Sequence, residues 1–238
     1  MTLSTSPDIV AFEEIALFRG LTRGELLRIQ PLLHRLHLPA ETYLFAREQP
    51  GEIAYVIVQG AIKIYMEQGD GGQVILSILG QGEVVGEMSL VDYLGRSASA
   101  MTIEQCDLLW MDRTSLNDCL DAIPELNHNL VRMLTRRLRM ADELIQSLAT
   151  LDVHGRIARQ LLMLSSEYGM PAPGSRPGVG AVLIPFRLTQ NDLADLVGAS
   201  RGRVNQALAD FKEQGSIAID HEHRITVLDA SALGRRCV

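Results

Sequence analysis

The chain of 238 residues is long enough for two domains that each bury a core, and its 47% apolar and 21% charged residues exclude a disordered protein. Its net charge of −7 excludes a surface that is basic throughout. The amino terminus lacks the basic and apolar segments of a secretion signal, and no apolar run reaches 18 residues, so we expect a cytoplasmic protein without a membrane span.

Charge distribution and cysteine spacing limit the kinds of partner and cofactor. Residues 1–151 carry 12 Lys or Arg against 20 Asp or Glu, whereas residues 152–238 carry 10 against 9, so any nucleic-acid contact belongs in the second part. Cys106, Cys119 and Cys237 lie far apart, and the six histidines form no spaced ligand set. We therefore expect no metal, haem or iron–sulfur cluster.

The first half of the chain changes from a helical to a strand pattern. Apolar residues recur at three- and four-residue steps over 9–33 and predict helix, broken at Gly20. Short β-rich runs separated by glycines then continue to Met111, which is typical of a sandwich or a barrel-like roll. The predicted strands are Thr42–Phe45, Ala54–Gln59, Ala61–Glu67, Val74–Leu79, Ser97–Thr102 and Leu108–Met111.

A long helix is predicted from Pro124 to about Leu151. Roughly 28 residues would span about 40 Å, more than one small domain needs. A heptad seam along it comprises Leu130, Met133, Arg137, Met140, Leu144, Ser147 and Leu151, and a second stripe comprises Leu134, Leu138, Ala141, Ile145 and Leu148. We expect one of the two stripes to pack on the roll and the other to contact a second copy of the chain. The heptad seam, which includes Met140 and Leu144, is taken as the stripe that contacts the second copy. The alternative is a single wide face packed on its own domain.

A further helix is predicted to begin after Asp152, which can cap it, and to end near Gly169. A Pro- and Gly-rich loop over 171–180 follows and is interpreted as an exposed connector. The next helices begin at Thr189.

The segment from Thr189 predicts a helix-turn-helix. Thr189 can form a capping box with the residue three positions later, Gly198 suits a left-handed turn, and Ser200 can cap the second helix. The spacing of Ala194, Gly198 and Val204 is what a tight turn between nearly perpendicular helices demands. The outer face of the second helix carries side chains that suit base edges and phosphates, namely Ser200, Arg201, Arg203, Asn205 and Gln206. Downstream, Ile217–Ile219 and Arg224–Leu228 flank Asp220–His223 and predict a wing.

The stretch Gly82–Ala98 contains a candidate ligand site. A glycine followed by a short helical turn leaves backbone N–H groups free at a helix N-terminus, which suits an anion. Arg96, placed on the next strand, could supply a guanidinium to a phosphate, and Glu87 could accept a hydroxyl proton. The alternative is a glycine-rich turn with a surface Glu–Arg pair.

Together these motifs resemble the Crp/Fnr family, the cyclic-AMP receptor and fumarate–nitrate-reduction regulators, from about Ile15 to Leu228. The matching motifs are Gly86-Glu87 with Arg96-Ser97, Arg136-Arg137-Leu138, Leu151-Asp152-Val153, Gly155-Arg156-Ile157-Ala158 and residues 188–204. The resemblance implies an α+β fold. Its parts would be an N-terminal cyclic-nucleotide-binding β-roll (residues 1–123), a long dimerisation helix (124–151) and a C-terminal winged helix-turn-helix domain (152–238).

The resemblance also implies functional residues. Gly86, Arg96 and Ser97 would hold the cyclic phosphate, and Glu87 would hold the ribose 2′-hydroxyl. With neighbours and the dimer helix, the expected ligand residues are Gly86, Glu87, Met88, Arg96, Ser97, Ala98, Arg137, Ala141 and Asp142. The expected DNA contacts are Thr189, Gln190, Ser200, Arg201, Gly202, Arg203, Asn205 and Gln206. The expected partners are double-stranded DNA carrying an inverted repeat, a second copy of the chain, and RNA polymerase.

Two departures from the family pattern concern specificity. Cyclic-AMP-responsive members usually carry Thr-Ser or Thr-Asn on the dimer helix to contact adenine, where this chain has Ala141-Asp142. Cyclic AMP is the expected effector, with another nucleotide such as cyclic GMP as the alternative. The recognition helix usually begins Arg-Glu, but Gly202 follows Arg201 here, and Gln206 stands where an arginine is frequent. We therefore expect that one base position of the family's common half-site is either not contacted by the recognition helix or contacted by Arg203.

Three functions follow from these patterns. The leading hypothesis is a ligand-gated transcription factor. The second is a regulator whose roll binds no ligand, which would leave a constitutive DNA binder. An enzyme gated by the roll is disfavoured, because the sequence has no nucleophile–base pair, metal triad or P-loop.

Overall fold

A computed structural model of the chain describes residues 15–69, 71–174 and 180–237. The part of the predicted helix over 9–14 and the loop positions 175–179 lie outside the described residues. Contacts between Cα atoms divide the chain into two units. The first holds the described residues of Met1–Glu67 with Leu76–Arg139, and the second those of Gln68–Ile75 with Met140–Val238.

The predicted N-terminal helix is wrong for much of its length. Only α1 (Arg23–Ile29) is α-helical between 15 and 33, with 3₁₀ turns at Ala16–Phe18 and Gln30–Leu32. Gly20 breaks the pattern as predicted, with φ +77°, a conformation that glycine adopts at little cost. The apolar residues that carry the period are still buried, so the pattern indicated a core face and not a continuous helix; they are Ile15, Leu17, Phe18, Leu21, Leu26, Ile29 and Leu33.

The described residues of 34–112 form eight strands, of which the fifth begins in the segment assigned to the second unit. The strands are β1 (His34–Leu38), β2 (Tyr43–Phe45), β3 (Ile53–Gln59), β4 (Ile62–Glu67), β5 (Gln73–Leu79), β6 (Val84–Val85), β7 (Ser99–Thr102) and β8 (Cys106–Asp112). They form two sheets, ordered β1-β8-β3-β6 and β2-β7-β4-β5. All six predicted strands form to within two residues at each end. The sequence did not predict β1 or β6, because β1 buries no residue fully and β6 is only two residues long.

Two apolar clusters fill the first unit. The larger joins α1 and the turn before it to β3, β8 and the helices α3 (Arg113–Ala122) and α4 (Pro124–Thr150), which follow the one-turn α2 (Met88–Val91). The smaller lies among the strands around Ile57 and Ile62. Val84 belongs to the larger cluster and Val85 to the smaller. Because successive strand residues point to opposite faces, β6 is anchored on both faces, just before the candidate ligand site.

The long helix α4 ends within one residue of its prediction. Its two stripes differ in burial. Leu130 and Met133 of the heptad seam are buried in the larger cluster, whereas Leu138, Ile145 and Leu148 of the second stripe are 63%, 64% and 45% exposed. The N-terminal part of the seam therefore packs within the chain, contrary to its assignment to the partner contact, and the contact with a second copy stays a prediction.

The second unit contains the predicted winged helix. Its elements are α5 (Val153–Tyr168), β9 (Met170–Pro171), β10 (Val182–Leu183), α6 (Gln190–Val197), α7 (Arg201–Glu213), β11 (Ile217–Ile219), β12 (Ile225–Val227) and α8 (Ala230–Gly234). Asp152 caps α5 by accepting from the Gly155 N–H at 2.8 Å, and α5 ends at Gly169, as predicted. The hairpin β11–β12 also forms, in a sheet ordered β11-β12-β10-β9. None of the described helices combines the length and apolarity that crossing a membrane requires.

Candidate functional site

Arg96 is the central cation of the candidate ligand site, which we call the cassette (Gly86–Ala98). Its side chain is buried, with 5% of the residue exposed. Nη1 donates to the Gly86 carbonyl oxygen at 2.8 Å and to Ser89 Oγ at 2.9 Å, and Nη2 donates to the Ile53 carbonyl oxygen at 2.7 Å. The guanidinium also lies over the Phe45 ring, with Cζ 4.1 Å from the centroid. Burial lowers the pKa of Arg96, as expected for a cation removed from water.

One nitrogen of this guanidinium lacks a partner. Among residues 15–69, 71–174 and 180–237, no hydrogen-bond acceptor reaches the buried Nε of Arg96. A buried donor without an acceptor is unfavourable by roughly 1–3 kcal/mol. An anionic ligand oxygen would satisfy it through a charge-assisted hydrogen bond, so the residues present fit a phosphate.

Gly86 is required by two features of its surroundings. Its φ is +87°, and a Cβ built on it would lie 2.4 Å from Nη1 of Arg96. Any other residue would be strained and would displace the guanidinium. The glycine therefore sets the place of the arginine.

A short helical turn follows Gly86, as predicted. It is the single turn α2, and Glu87, at its N-cap, makes no side-chain cap. A single turn has only a small macrodipole, so an anion here would depend mainly on Arg96, and the anion site at the helix N-terminus stays a prediction. Arg96 itself lies before β7 and not on a strand, contrary to its predicted place.

Glu87 is buried against α4. Arg137 donates from Nη1 to Glu87 Oε1 at 2.6 Å and from Nη2 to Glu83 Oε2 at 2.8 Å, and Nη2 also contacts the Val84 carbonyl. Arg136 forms an ion pair with the same Glu83. Two buried carboxylates thus share two arginines of one helix turn, which fixes Glu87 in place. The role of Glu83 was not predicted; its signal was a charged residue directly before the two buried valines of β6.

The other predicted ligand residues differ in exposure. Ser97 and Met88 are exposed, with Ser97 Oγ 3.9 Å from Met88 Sδ, and Ala98 is buried. Ala141 and Asp142 are exposed on α4 and belong to the second unit. Their part in ligand binding stays a prediction.

The helix-turn-helix has the predicted caps. Thr189 Oγ1 accepts from the Asp192 N–H at 3.1 Å, and the Asp192 carboxylate accepts in return from the Thr189 N–H at 3.1 Å. Gly198 ends α6 with φ +60° and ψ +51°, and Ser200 begins α7 by accepting from the Arg203 N–H at 3.4 Å. Because Gly198 adopts a left-handed backbone conformation, only three residues separate the end of α6 from the start of α7.

The start of α7 presents an exposed polar face. The exposed members are Ser200, Arg201, Gly202, Arg203, Asn205 and Gln206. Gln190 of α6 joins two of them, since its Nε2 donates to Asn205 Oδ1 at 2.9 Å and its Oε1 accepts from Arg201 Nε at 3.3 Å. Gln206 Nε2 donates to Asp210 Oδ1 at 2.8 Å. These contacts pre-order the side chains that would meet a major groove.

Two stabilising contacts around this face were not predicted. Arg156 of α5 donates from Nη1 to the Val197 carbonyl oxygen at 2.7 Å and thereby satisfies the C-terminal end of α6. In the wing, the Asp220 carboxylate accepts from the N–H groups of Glu222 and Arg224, both at 2.9 Å. Both contacts join residues whose types are common on surfaces, so sequence alone gave no signal for them.

The described residues contain no candidate site for metal binding or thiol chemistry. In the part of the chain that the structure describes, no group of three or more His, Cys, Asp or Glu could hold a metal ion. Burial raises the pKa of the Cys106 thiol to about 12 and also raises those of Cys119 and Cys237. Protonated thiols are poor metal ligands and poor nucleophiles.

Comparisons with known proteins agree with both halves of the fold. The family model described as a cyclic nucleotide-binding domain matches residues 35–122, and the Crp-like helix-turn-helix domain model matches residues 155–236. The CRP-like cAMP-activated global transcriptional regulator of Mycobacterium tuberculosis is 35% identical over 220 residues, which cover 92% of this chain and 95% of that protein.

Two solved structures share the architecture. FixK2 from Bradyrhizobium japonicum superposes with a TM-score of 0.74 at 20% identity and covers 87% of this chain and 98% of its own, a likeness of fold. The c-di-GMP-responsive regulator CLP of Xanthomonas campestris gives a TM-score of 0.67 at 27% identity and covers 87% of this chain and 99% of its own. The matched domains and relatives are transcription regulators and not enzymes, which excludes the enzyme hypothesis. The two family models and the M. tuberculosis relative show that this chain belongs to the Crp/Fnr family of DNA-binding transcription regulators.

Proposed function

We propose that this chain is a dimeric, cytoplasmic regulator that binds cyclic AMP in its roll and an inverted-repeat DNA site through α7, with RNA polymerase as a further partner. The observation that supports a ligand is the buried Arg96 whose Nε lacks an acceptor within the described residues. The relative in M. tuberculosis is described as cAMP-activated, which puts cyclic AMP first among the candidates.

The cassette offers a chemically consistent site for a cyclic phosphate. Nη1 of Arg96 uses both of its N–H groups on protein oxygens and Nη2 uses one, so Nε, the second N–H of Nη2 and the exposed Ser97 hydroxyl are the donors for the ligand anion. Arg137 contacts Oε1 of Glu87, so Oε2 can accept a ribose hydroxyl. When bound, the nucleotide would supply the anion that this site lacks.

A ligand-independent regulator is the second candidate. Arg96 and Glu87 each have protein partners, which could hold the cassette in a regulator that binds no nucleotide. The two candidates differ in whether a nucleotide changes the free energy of unfolding and the affinity for DNA.

Thermal unfolding with a nucleotide panel distinguishes the candidates. At about a hundred times its Kd, the true effector should add roughly 2.7 kcal/mol to the free energy of unfolding and raise Tm, because it binds only the folded chain. Cyclic AMP is expected to give this shift, with cyclic GMP, c-di-GMP and AMP as comparison ligands. If no nucleotide raises Tm or changes DNA affinity, the ligand-independent candidate is correct.

Arg201 should read a guanine in each half-site. Its guanidinium fork matches O6 and N7, so Arg201→Ala is expected to weaken binding by about 1–3 kcal/mol per contact and to relax specificity at that base. Binding-site selection should yield an inverted repeat with half-site centres about 34–36 Å apart. Lys212→Ala, an exposed cation in the last turn of the same helix, is the matched control and should leave the motif unchanged. A motif without two-fold symmetry, or one indifferent to Arg201, contradicts this part of the proposal.

A further inference from the structure

Gln206 is connected to the interior of its unit through two other side chains. Its Nε2 donates to Asp210 Oδ1 at 2.8 Å, one helical turn later on α7. The other oxygen of Asp210, Oδ2, lies 2.8 Å from Nε2 of His154 in the first turn of α5. The His154 ring packs edge-on against Phe211, with centroids 5.9 Å apart and planes at 85°. The path therefore runs from α5 to the exposed face of α7.

The chemistry of this path determines which end of the Gln206 amide faces Asp210. Hydrogen bonds from His154 and Gln206 hold the pKa of Asp210 below its usual range, so the carboxyl is ionised near neutral pH. An ionised carboxylate only accepts hydrogen bonds, whereas an amide has a donor end and an acceptor end. The amide nitrogen must face Asp210, and Oε1 is left as the acceptor on the opposite side.

We propose that Asp210, held by His154, is a positioning residue that gives Gln206 its base specificity by presenting Oε1 to the DNA. An acceptor at this position selects a base with an exocyclic amine in the major groove, which is adenine through N6 or cytosine through N4. An arginine there would donate instead and would favour guanine. The inference rests on the proposed function, in which α7 enters the major groove.

The neighbouring contacts allow this effect to be separated from general damage. Gln190 accepts from Arg201 and donates to Asn205, a network that shares no hydrogen bond with Asp210 in the described residues. A change at Asp210 should therefore alter one symmetric pair of base positions and leave the guanine read by Arg201 intact. If Asp210 had a purely structural role, its substitution would lower the stability of the chain and weaken binding to all DNA sequences equally.

Binding-site selection with the full-length chain and its effector tests the inference. The wild-type motif should favour adenine or cytosine at one symmetric pair of positions by about three- to tenfold, the size of one net hydrogen bond. Gln206→Ala should abolish that preference. Asp210→Asn should abolish it too, because an amide at 210 can donate as well as accept and so releases the orientation of Gln206. Glu213→Gln removes one negative charge from the same helix and should leave the motif unchanged.

His154→Phe provides a second variant, since it keeps a ring against Phe211 but removes the donor to Asp210. It should reduce the preference at the same positions, and thermal unfolding of each variant confirms that it is folded. The positioning role is overturned if Asp210→Asn or His154→Phe selects the same DNA motif as the wild type. It is also overturned if Gln206→Ala leaves the selected motif unchanged. A wild-type motif without an inverted repeat contradicts the proposed function as well, whereas a repeat that depends on Arg201 but not on Gln206 contradicts this inference alone.

Discussion

Replacing Arg96 with alanine is expected to weaken nucleotide binding by at least a few kcal/mol, which is a hundredfold or more in Kd. The substitution removes the guanidinium of the cassette, together with the Nε donor that has no acceptor within the described residues. It also removes the guanidinium donor from the carbonyl oxygens of Gly86 and Ile53, although the Gly86 oxygen still accepts from Ser89 Oγ at 3.3 Å. Calorimetric titration with cyclic AMP, well below the unfolding temperature, measures the effect.

The same substitution should lower stability, because each orphaned buried acceptor is unfavourable by about 1–3 kcal/mol. Ser97→Ala therefore serves as a milder companion: Ser97 is exposed, so its loss should weaken binding with little effect on Tm. Arg35→Ala, an exposed arginine of the same roll, is the matched control and should leave both affinity and Tm unchanged. Unchanged affinity in Arg96→Ala would show that the cassette is not the phosphate site.

The helix-turn-helix could be predicted from sequence almost residue by residue, because its signals are local. Thr189 caps with a residue three positions away, Gly198 acts through its own backbone, and Ser200 caps with Arg203. Each of these interactions is closed within one turn of chain. No knowledge of distant residues was needed.

The cassette was predicted only in part, because its contacts are long-range. Arg96 is held by Ile53 and Phe45, more than 40 residues earlier, and Glu87 by Arg137, 50 residues later. Residue types alone indicated an anion site but not its geometry. The short helical turn after Gly86 formed as predicted, because its signal is local.

The stripes on α4 show a different limit of sequence analysis. Both are spaced for a coiled coil, so periodicity could not tell which one packs within the chain. The choice depends on the surface that each stripe meets. Leu130 and Met133 pack with the cluster around Phe18 and Leu26, which leaves Leu138 and Ile145 exposed.

Leu138→Asp combined with Ile145→Asp is expected to convert the proposed dimer into a monomer. These two side chains are 63% and 64% exposed in the single chain, and a second copy of the stripe would remove their apolar surface from water. In the variant, carboxylates from both copies would meet across the two-fold axis without partners, which is strongly unfavourable. Sedimentation should give the mass of one chain, and affinity for the inverted repeat should fall by a factor of roughly 10²–10⁴, because the two recognition helices are no longer linked.

The same helix provides the control for added charge. Thr135→Asp with Gln146→Asp places two carboxylates on exposed positions outside both stripes, so this variant should remain a dimer and keep its DNA affinity. Met140→Asp with Leu144→Asp tests the heptad seam, whose N-terminal part is buried within the chain, and should lower Tm more than it lowers dimer affinity. If the Leu138 and Ile145 variant still sediments as a dimer while the Met140 and Leu144 variant does not, the partner contact lies on the seam. The exposed stripe would then need another explanation.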